Sequence, residues 1–275
     1  MQVIHFVAEL RARLAQENAI AFVPTMGNLH AGHVALVEQA RQQGSCVVVS
    51  IFVNPLQFGP NEDFDKYPRT LEADCAKLQG LADIVFAPAV DEMYPEQQSF
   101  YIELPHIASE LCGVQRPGHF RGMATVVLKL LNLVQPQVAL FGKKDYQQLA
   151  IIRQMVMQFN LPVAIVGGET VRAEDGLALS SRNQYLTQAE RTEAAQLHLT
   201  LRKVSESLAK GAGDFDVLEK VAEAALAKRG WGVEYVSIRS QHGLGKPQVS
   251  ERQLVVLAAA RLGITRLIDN LEVCL

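Results

Sequence analysis

Two histidines set three residues apart carry the sharpest chemical suggestion in this chain. They lie in Pro24-Thr25-Met26-Gly27-Asn28-Leu29-His30-Ala31-Gly32-His33, directly after an apolar run. Gly27 and Gly32 bracket a loop whose backbone can approach a phosphate closely, where a helix start offers its N–H groups. The G-x-x-x-x-G spacing is that of a P-loop, but His33 and Val34 stand where the lysine and the Ser/Thr belong. His30 and His33 instead share one face of a helix start. Imidazole N–H groups placed there donate to phosphate oxygens and stabilise charge on a pentacovalent phosphorus. A metal pair is a competing use of this spacing, although no Cys, Asp or Glu within the motif completes a ligand set. Incidental surface histidines are the third possibility, and spacing alone leaves the choice open.

Four further segments combine polar groups with turn residues. In Ser50-Ile51-Phe52-Val53-Asn54-Pro55-Leu56-Gln57-Phe58, an apolar run stops at Asn54-Pro55 and Gln57 sits between two apolar residues. Asn54 reads as a turn cap and Gln57 as a ligand for hydroxyl or carboxylate groups. Arg116-Pro117-Gly118-His119-Phe120-Arg121-Gly122 is either an anion-binding loop or a pair of solvated arginines. In Phe141-Gly142-Lys143-Lys144-Asp145-Tyr146-Gln147-Gln148, Gly142 frees the backbone and charged groups follow at a helix start. The lysines suit phosphates, Asp145 suits a ribose hydroxyl, and Gln148 lies one helical turn beyond Lys144. An ordinary cap with solvated lysines is the plain alternative. Leu179-Ser180-Ser181-Arg182-Asn183 sets two hydroxyls beside a guanidinium, which suits phosphate oxygens, or else a capping serine pair.

The elements needed to position these segments alternate along the chain. Apolar or β-branched runs at Ile20–Val23, Cys46–Val53, Asp83–Ala87, Tyr101–Leu104, Val138–Phe141 and Val163–Val166 predict strands. Helical periodicity at Val34–Gln42, Leu71–Leu81, Met123–Leu133 and Gln147–Phe159 falls between most of them. Continuous apolar strands alternating with helices imply an α/β fold, a parallel sheet covered on both faces. Ligands of such sheets bind beyond the carboxyl ends of the strands. After about Arg172 the pattern changes. A polar turn at Glu174–Gly176 precedes a proline-free helical stretch from Thr187 to Lys228, opened by a Thr187/Glu190 capping box and broken near Gly211–Asp214. Strand-like runs at Val233–Arg239, Gln253–Leu257 and Thr265–Asp269 follow. Residues 1–175 and 176–275 are therefore expected as two domains, the second a small α+β domain.

Composition sets the outer limits. The chain has 275 residues, 49% hydrophobic and 20% charged, an ordinary globular balance. A net charge of −3 gives no overall attraction for nucleic acid, so an anionic ligand must be met locally. Cys46, Cys75, Cys112 and Cys274 form no C-x-x-C pair and read as reduced thiols, with Cys46 in the core. Met1 to Leu14 reads as an amphipathic helix and not as a signal peptide. No run approaches the ~18 consecutive apolar residues of a membrane span. The cytoplasm is the expected location.

Together the segments resemble the pantothenate synthetase (pantoate–β-alanine ligase) family along essentially the whole chain. The motifs P-T-M-G-x-L-H-x-G-H, S-I-F-V-N-P-x-Q-F, Y-P-R-T, R-P-G-H-F-R-G, F-G-x-K-D-Y-Q-Q and D-G-L-A-L-S-S-R-N occur in the family's order. The first is shared with nucleotidyltransferases and class I aminoacyl-tRNA synthetases, whereas its combination with N-P-x-Q-F and K-D-Y-Q-Q belongs to this one family. The resemblance implies a Rossmann-like, doubly wound N-terminal domain, a smaller C-terminal domain and a homodimer. Closure of the small domain over the site through the 174–183 region is expected from the need to shield an acyl adenylate from water. It implies ATP with Mg²⁺, pantoate and β-alanine as the small-molecule ligands, with no nucleic acid or membrane partner.

By motif, Met26, Gly27, Asn28, Leu29, His30, Ala31, Gly32 and His33 fall at the ATP site, with His30 and His33 on the phosphates and His33 as proton donor. Gly142, Lys143, Lys144, Asp145, Val171, Leu179, Ser180, Ser181 and Arg182 complete the nucleotide site, with Lys144 the catalytic lysine and Lys143 at a variable position. Gln57 and Gln148 hold pantoate, and Gln57 borders β-alanine. Asp74 is a weaker candidate for assisting Mg²⁺ and is not counted as a metal ligand. A nucleotidyltransferase keeping the nucleotide in its product, or a module that binds ATP without turnover, shares the histidine motif. The first offers no reason for Gln57 and Gln148 together, and in the second His33→Ala would change ATP affinity alone.

Overall fold

The computed structural model describes every residue except Asn61, Asp63 and Val249. Its chain divides into two compact units. The first is Met1–Lys143 with Ile151–Glu169, and the second is Lys144–Ala150 with Thr170–Leu275.

Six parallel strands form the sheet of the first unit: β1 (Gln2–Ile4), β2 (Ile20–Thr25), β3 (Cys46–Ile51), β4 (Ile84–Phe86), β5 (Val138–Gly142) and β6 (Ala164–Gly168). Their order is β1-β4-β3-β2-β5-β6. Strands β2 and β3 are buried almost end to end because both faces are covered, which is why they read as unbroken apolar runs. The connecting helices are α1 (Val7–Leu14), α2 (Ala31–Arg41), α3 (Leu71–Leu78), the short α4 (Val90–Met93) and α5 (Cys112–Gln115), and α6 (His119–Val134). From β2 the chain steps outward through β3 to β4, then returns to place β5 on the other flank of β2. With right-handed crossovers, that reversal sends successive helices to opposite faces and leaves a crevice at the carboxyl ends of β2 and β5. Val23, Val37, Val47, Val49, Val85 and Leu140 lie at the centre of one core layer. Cys46 is 1% exposed and its thiol is pushed up to about 11 by burial, the state expected of a core cysteine. Helix α7 (Tyr146–Gln158) begins in the second unit and ends in the first.

The second unit has an antiparallel sheet of β7 (Gly232–Ser240), β8 (Gln253–Leu262) and β9 (Thr265–Cys274), in that order. Helices α8 (Gln188–Glu193), α9 (Ala195–Ala209) and α10 (Phe215–Lys228) precede it. Thr187 and Glu190 form the expected capping box, with the Thr187 N–H donating to Glu190 Oε2 at 2.8 Å. Leu197, Leu201, Val204, Leu226, Val256 and Leu267 meet in the core. Trp231, the one tryptophan of the chain, is 4% exposed there and donates through Nε1 to Glu193 at 3.0 Å. At the edge strand β7, the Ile238 and Val236 N–H groups donate to the Glu219 and Glu223 carboxylates, which occupies donors that would otherwise invite another strand.

Three local expectations are corrected. Residues Gln2–Ile4 pair with β4 as an edge strand, so the amphipathic helix starts only at Val7. Tyr101–Leu104 forms no strand. Strand composition alone does not place a segment in a sheet, and residues 101–104 pair with none of the six strands. The last strand runs to Cys274, five residues beyond the Asp269 at which it was expected to stop.

Candidate active site

In the first unit, β2 delivers its chain into a loop with two consecutive left-handed residues, Gly27 (φ +82) and Asn28 (φ +50). A Cβ at Gly27 would also crowd Ile51 and Asp74, at 3.0 and 3.2 Å, so glycine is favoured on two counts. Asp74, fully buried on α3, pins this loop: its carboxylate accepts from the Asn28 N–H at 2.8 Å and the Leu29 N–H at 2.7 Å. The Thr70 hydroxyl adds a third bond at 3.1 Å. These bonds commit Asp74 to holding the loop.

The loop leads into α2, where the two histidines cap the helix reciprocally. His30 Nδ1 accepts from the Gly32 N–H at 3.1 Å, and His33 Nδ1 accepts from the His30 N–H at 3.2 Å. An accepting Nδ1 carries no proton, so each neutral ring carries it on Nε2 and is a donor there. The ring centroids are 4.1 Å apart. The spacing thus does place two imidazoles side by side at a helix start, beyond the carboxyl end of β2. On the other side of the strand-order reversal, β5 ends at Gly142, followed by Lys143, whose ammonium pairs with Glu169 at 2.6 Å.

Gln57 lies in a 3-10 turn, Pro55–Gln57, and is 6% exposed. Its amide is oriented at both ends: Nε2 donates to the Met26 sulfur at 3.0 Å, and Oε1 accepts from Asn54 Nδ2 at 3.1 Å. Asn54 acts as the turn cap, its Oδ1 accepting from the Leu56 N–H and from the Tyr94 hydroxyl. Gly122 of α6 lies against the Leu56–Gln57 backbone so closely that a Cβ there would overlap it.

The arginine-histidine segment supports the same turn. His119 Nδ1 donates to the Gln57 carbonyl at 2.8 Å, while its Nε2 faces Arg116 Nη1 at 3.0 Å. A guanidinium only donates, so Nε2 accepts and His119 is neutral, with its proton on Nδ1. Arg116 in turn grips both Glu62 oxygens, at 2.6 and 2.7 Å. Burial pushes Glu62 up, but the Arg116 bonds hold it below the ordinary carboxylate range. Arg121 stacks over the Tyr101 ring at 4.5 Å.

In the second unit, Lys144 and Asp145 lie in the 3-10 turn Lys143–Asp145 ahead of α7, whose first turn carries half-buried Gln148. Val171 and Leu179 are brought together across a hairpin, the Leu179 N–H donating to the Val171 carbonyl at 3.0 Å. Ser180 follows and caps the 3-10 turn Ser181–Tyr185 by accepting from the Arg182 N–H, the capping role open to this serine pair. Sequence reading missed Asp269 and Asn270. Arg172 donates to both Asp269 oxygens at 2.8 and 2.9 Å, and Asn270 Nδ2 donates to the Lys144 carbonyl at 2.9 Å. The available signal was a buried-type Asp-Asn pair inside the apolar run Leu267–Val273.

Burial pushes the Asp269 carboxyl up, but His198 and Arg172 beside it hold it below its ordinary value. Its stabilisation is complete above the unfolded-state value of about 3.9 and is lost as pH falls through the lower folded-state value. Asp269→Asn is therefore expected to melt below the parent at pH 7, with the gap closing in acid below about pH 4. Melting curves across that range check it, and a gap independent of pH would refute the assignment.

A doubly wound α/β sheet with paired imidazoles at the helix beyond its central strand defines a nucleotide-binding fold. The family model described as pantoate-beta-alanine ligase matches residues 2–272. The chain is 59% identical over 273 residues to the pantothenate synthetase of Methylobacillus flagellatus, covering 99% of this chain and 98% of that one. It is 58% identical over 275 residues to that of Thiobacillus denitrificans, covering 99% and 97%. The crystal structure of pantothenate synthetase from Thermus thermophilus matches the full length of both chains at 46% identity and a TM-score of 0.95. Pantoate-beta-alanine ligase from Francisella tularensis, complexed with beta-gamma ATP and beta-alanine, matches at 34% identity and a TM-score of 0.83, over 98% of this chain and 97% of that one. The chain belongs to the pantoate–β-alanine ligase family.

Proposed function

We infer that this chain condenses pantoate with β-alanine using ATP, forming pantothenate and releasing AMP and pyrophosphate. The family match over residues 2–272 carries that conclusion. In the first step a pantoate carboxylate oxygen attacks the α-phosphorus and pyrophosphate leaves. In the second the β-alanine amine attacks the acyl carbonyl and AMP leaves. His30 and His33, with their protons on Nε2, are assigned to donate to phosphate oxygens as charge builds there. Gln57, its amide already oriented by Met26 and Asn54, is assigned to pantoate together with Gln148. The remaining roles proposed are those of Met26 to His33, Gly142 to Asp145, Val171 and Leu179 to Arg182 on the nucleotide, with Lys144 on the reacting phosphate.

Among the described residues, no three His, Cys, Asp or Glu side chains are grouped to hold a metal ion. Mg²⁺ is proposed to enter with the triphosphate as MgATP, where its positive charge would offset the negative charge of the leaving phosphates. The acyl adenylate must be kept from water, and segment 174–183 at the proposed 175/176 domain boundary is assigned that shielding. Limited proteolysis there should slow with ATP plus pantoate; an unchanged rate would remove the idea. A cytoplasmic homodimer is also proposed. No helix among the described residues is long and apolar enough to cross a membrane. Sedimentation as a single 30.2 kDa chain at all concentrations would remove the dimer.

The deciding experiment supplies MgATP and pantoate without β-alanine. About one equivalent of pyrophosphate per site, followed by turnover once β-alanine is added, is the expected result. Turnover with all three substrates but no prior release would keep the ligase and revise the order in which substrates must be present. No release and no turnover would refute the assignment.

A further inference from the structure

We propose that Asp269 and Asn270, adjacent on β9, are positioning residues that fix Lys144 and the hairpin ending at Ser180–Arg182 from opposite faces of one strand. The proposal rests on reading those two segments as nucleotide contacts. Successive residues of a strand point to opposite faces, so neighbouring side chains can hold two separate segments.

On the face shared with Leu267 and Val273 of the core, Asp269 takes the bidentate grip of Arg172. The same guanidinium donates to the Gly176 carbonyl at 3.0 Å and to the Asn270 carbonyl at 3.1 Å. One side chain therefore ties the start of the hairpin, its turn and the strand together. The hairpin is closed by the Arg172–Ala178 bridge and by the Ala173 N–H donating to the Leu177 carbonyl at 2.9 Å. Its turn has no slack, since a Cβ on Gly176 (φ +91) would come within 2.6 Å of the His198 ring. Ser180 follows two residues after this bridge.

On the opposite face, Asn270 Nδ2 holds the Lys144 carbonyl at 2.9 Å. Two residues on, Glu272 accepts from the Tyr146 hydroxyl at 2.7 Å, securing the same segment a second time. Asp269 and Asn270 are 4% and 6% exposed. Buried ionic and amide groups are poor sources of stability compared with apolar residues of similar volume. They are directional, however, and direction is what a phosphate site requires, because a 1 Å misplacement costs on the order of 10²-fold in rate.

The test compares full-length Asn270→Ala, Lys144→Met and Val256→Ala, the last a fully buried core position of the same sheet. Asn270→Ala is expected to slow pyrophosphate release or raise the KM for ATP by roughly 10-fold or more, leaving the KM for β-alanine unchanged. Val256→Ala should lower the melting temperature with little change in either constant well below the melt. If Asn270→Ala fails to fold, the near-isosteric Asn270→Asp, which also lacks the donor, is measured in its place with the same expectation. Kinetics matching Val256→Ala, in the presence of an impaired Lys144→Met, would overturn the positioning role alone. An unimpaired Lys144→Met would overturn the nucleotide reading and the proposal with it.

Discussion

His33→Ala is expected to lower the rate of pyrophosphate formation by about 10²–10³-fold, the scale of removing one donor aimed at transition-state charge. The His33 ring has two ends with two uses. Its Nδ1 accepts from the His30 N–H and completes the reciprocal cap of α2. That bond forces the proton onto Nε2 and fixes the ring's orientation before any substrate arrives. Alanine removes both, but the cap is worth only about 1 kcal/mol to the fold. The kinetic loss should therefore far exceed the loss of thermal stability. Rapid-quench measurement of pyrophosphate beside ATP binding at equilibrium separates the cases. A variant that binds ATP more weakly yet turns over at the parental rate would make His33 a binding residue and nothing more.

Gly122→Ala is expected to disrupt the Gln57 turn, and with it the pantoate contact proposed for Gln57, from a residue assigned no ligand of its own. A Cβ on Gly122 would overlap the Leu56 carbonyl and reach within 2.7 Å of the Gln57 nitrogen, and those are backbone atoms that cannot rotate away. The Gly122 carbonyl is also the acceptor of Asn54 Nδ2, the group that orients Gln57. Overpacking costs about 1–3 kcal/mol, and the upper end is expected where backbone must move. Displacing Gln57 by about 1 Å adds a kinetic loss on the order of 10²-fold. Thermal melts and the KM for pantoate should change together. A variant with the parental melting temperature and pantoate KM would show that the turn is not held by this contact.

The sheet was legible in the sequence because parallel strands buried on both faces leave unbroken apolar runs, as in Cys46–Ile51. The histidine pair was legible because its spacing is local: one turn of one helix sets both rings. Asn54 as a turn cap, and the Thr187/Glu190 box, follow from the same short-range chemistry. What escaped depends on partners distant in sequence. Tyr101–Leu104 has strand composition but pairs with no strand of the sheet. Asp74 acts on a loop 45 residues away, and His119 on a carbonyl 62 residues away, and neither distance leaves a periodic trace. Asp269-Asn270 looked like the end of a strand because both types are poor strand formers. Their bonds to Arg172 and Lys144 keep the ladder going to Cys274.

The lone tryptophan gives the molecule a private optical channel. Trp231 sits in the core of the second unit beside Glu193, so red-edge emission during a melt reports the environment of that unit. Far-ultraviolet ellipticity sums the backbone of both. Two-unit chains need not melt in one step. Wherever the two curves part, the difference belongs to the unit that carries His30 and His33, whose own stability can be read without cutting the chain or adding a label.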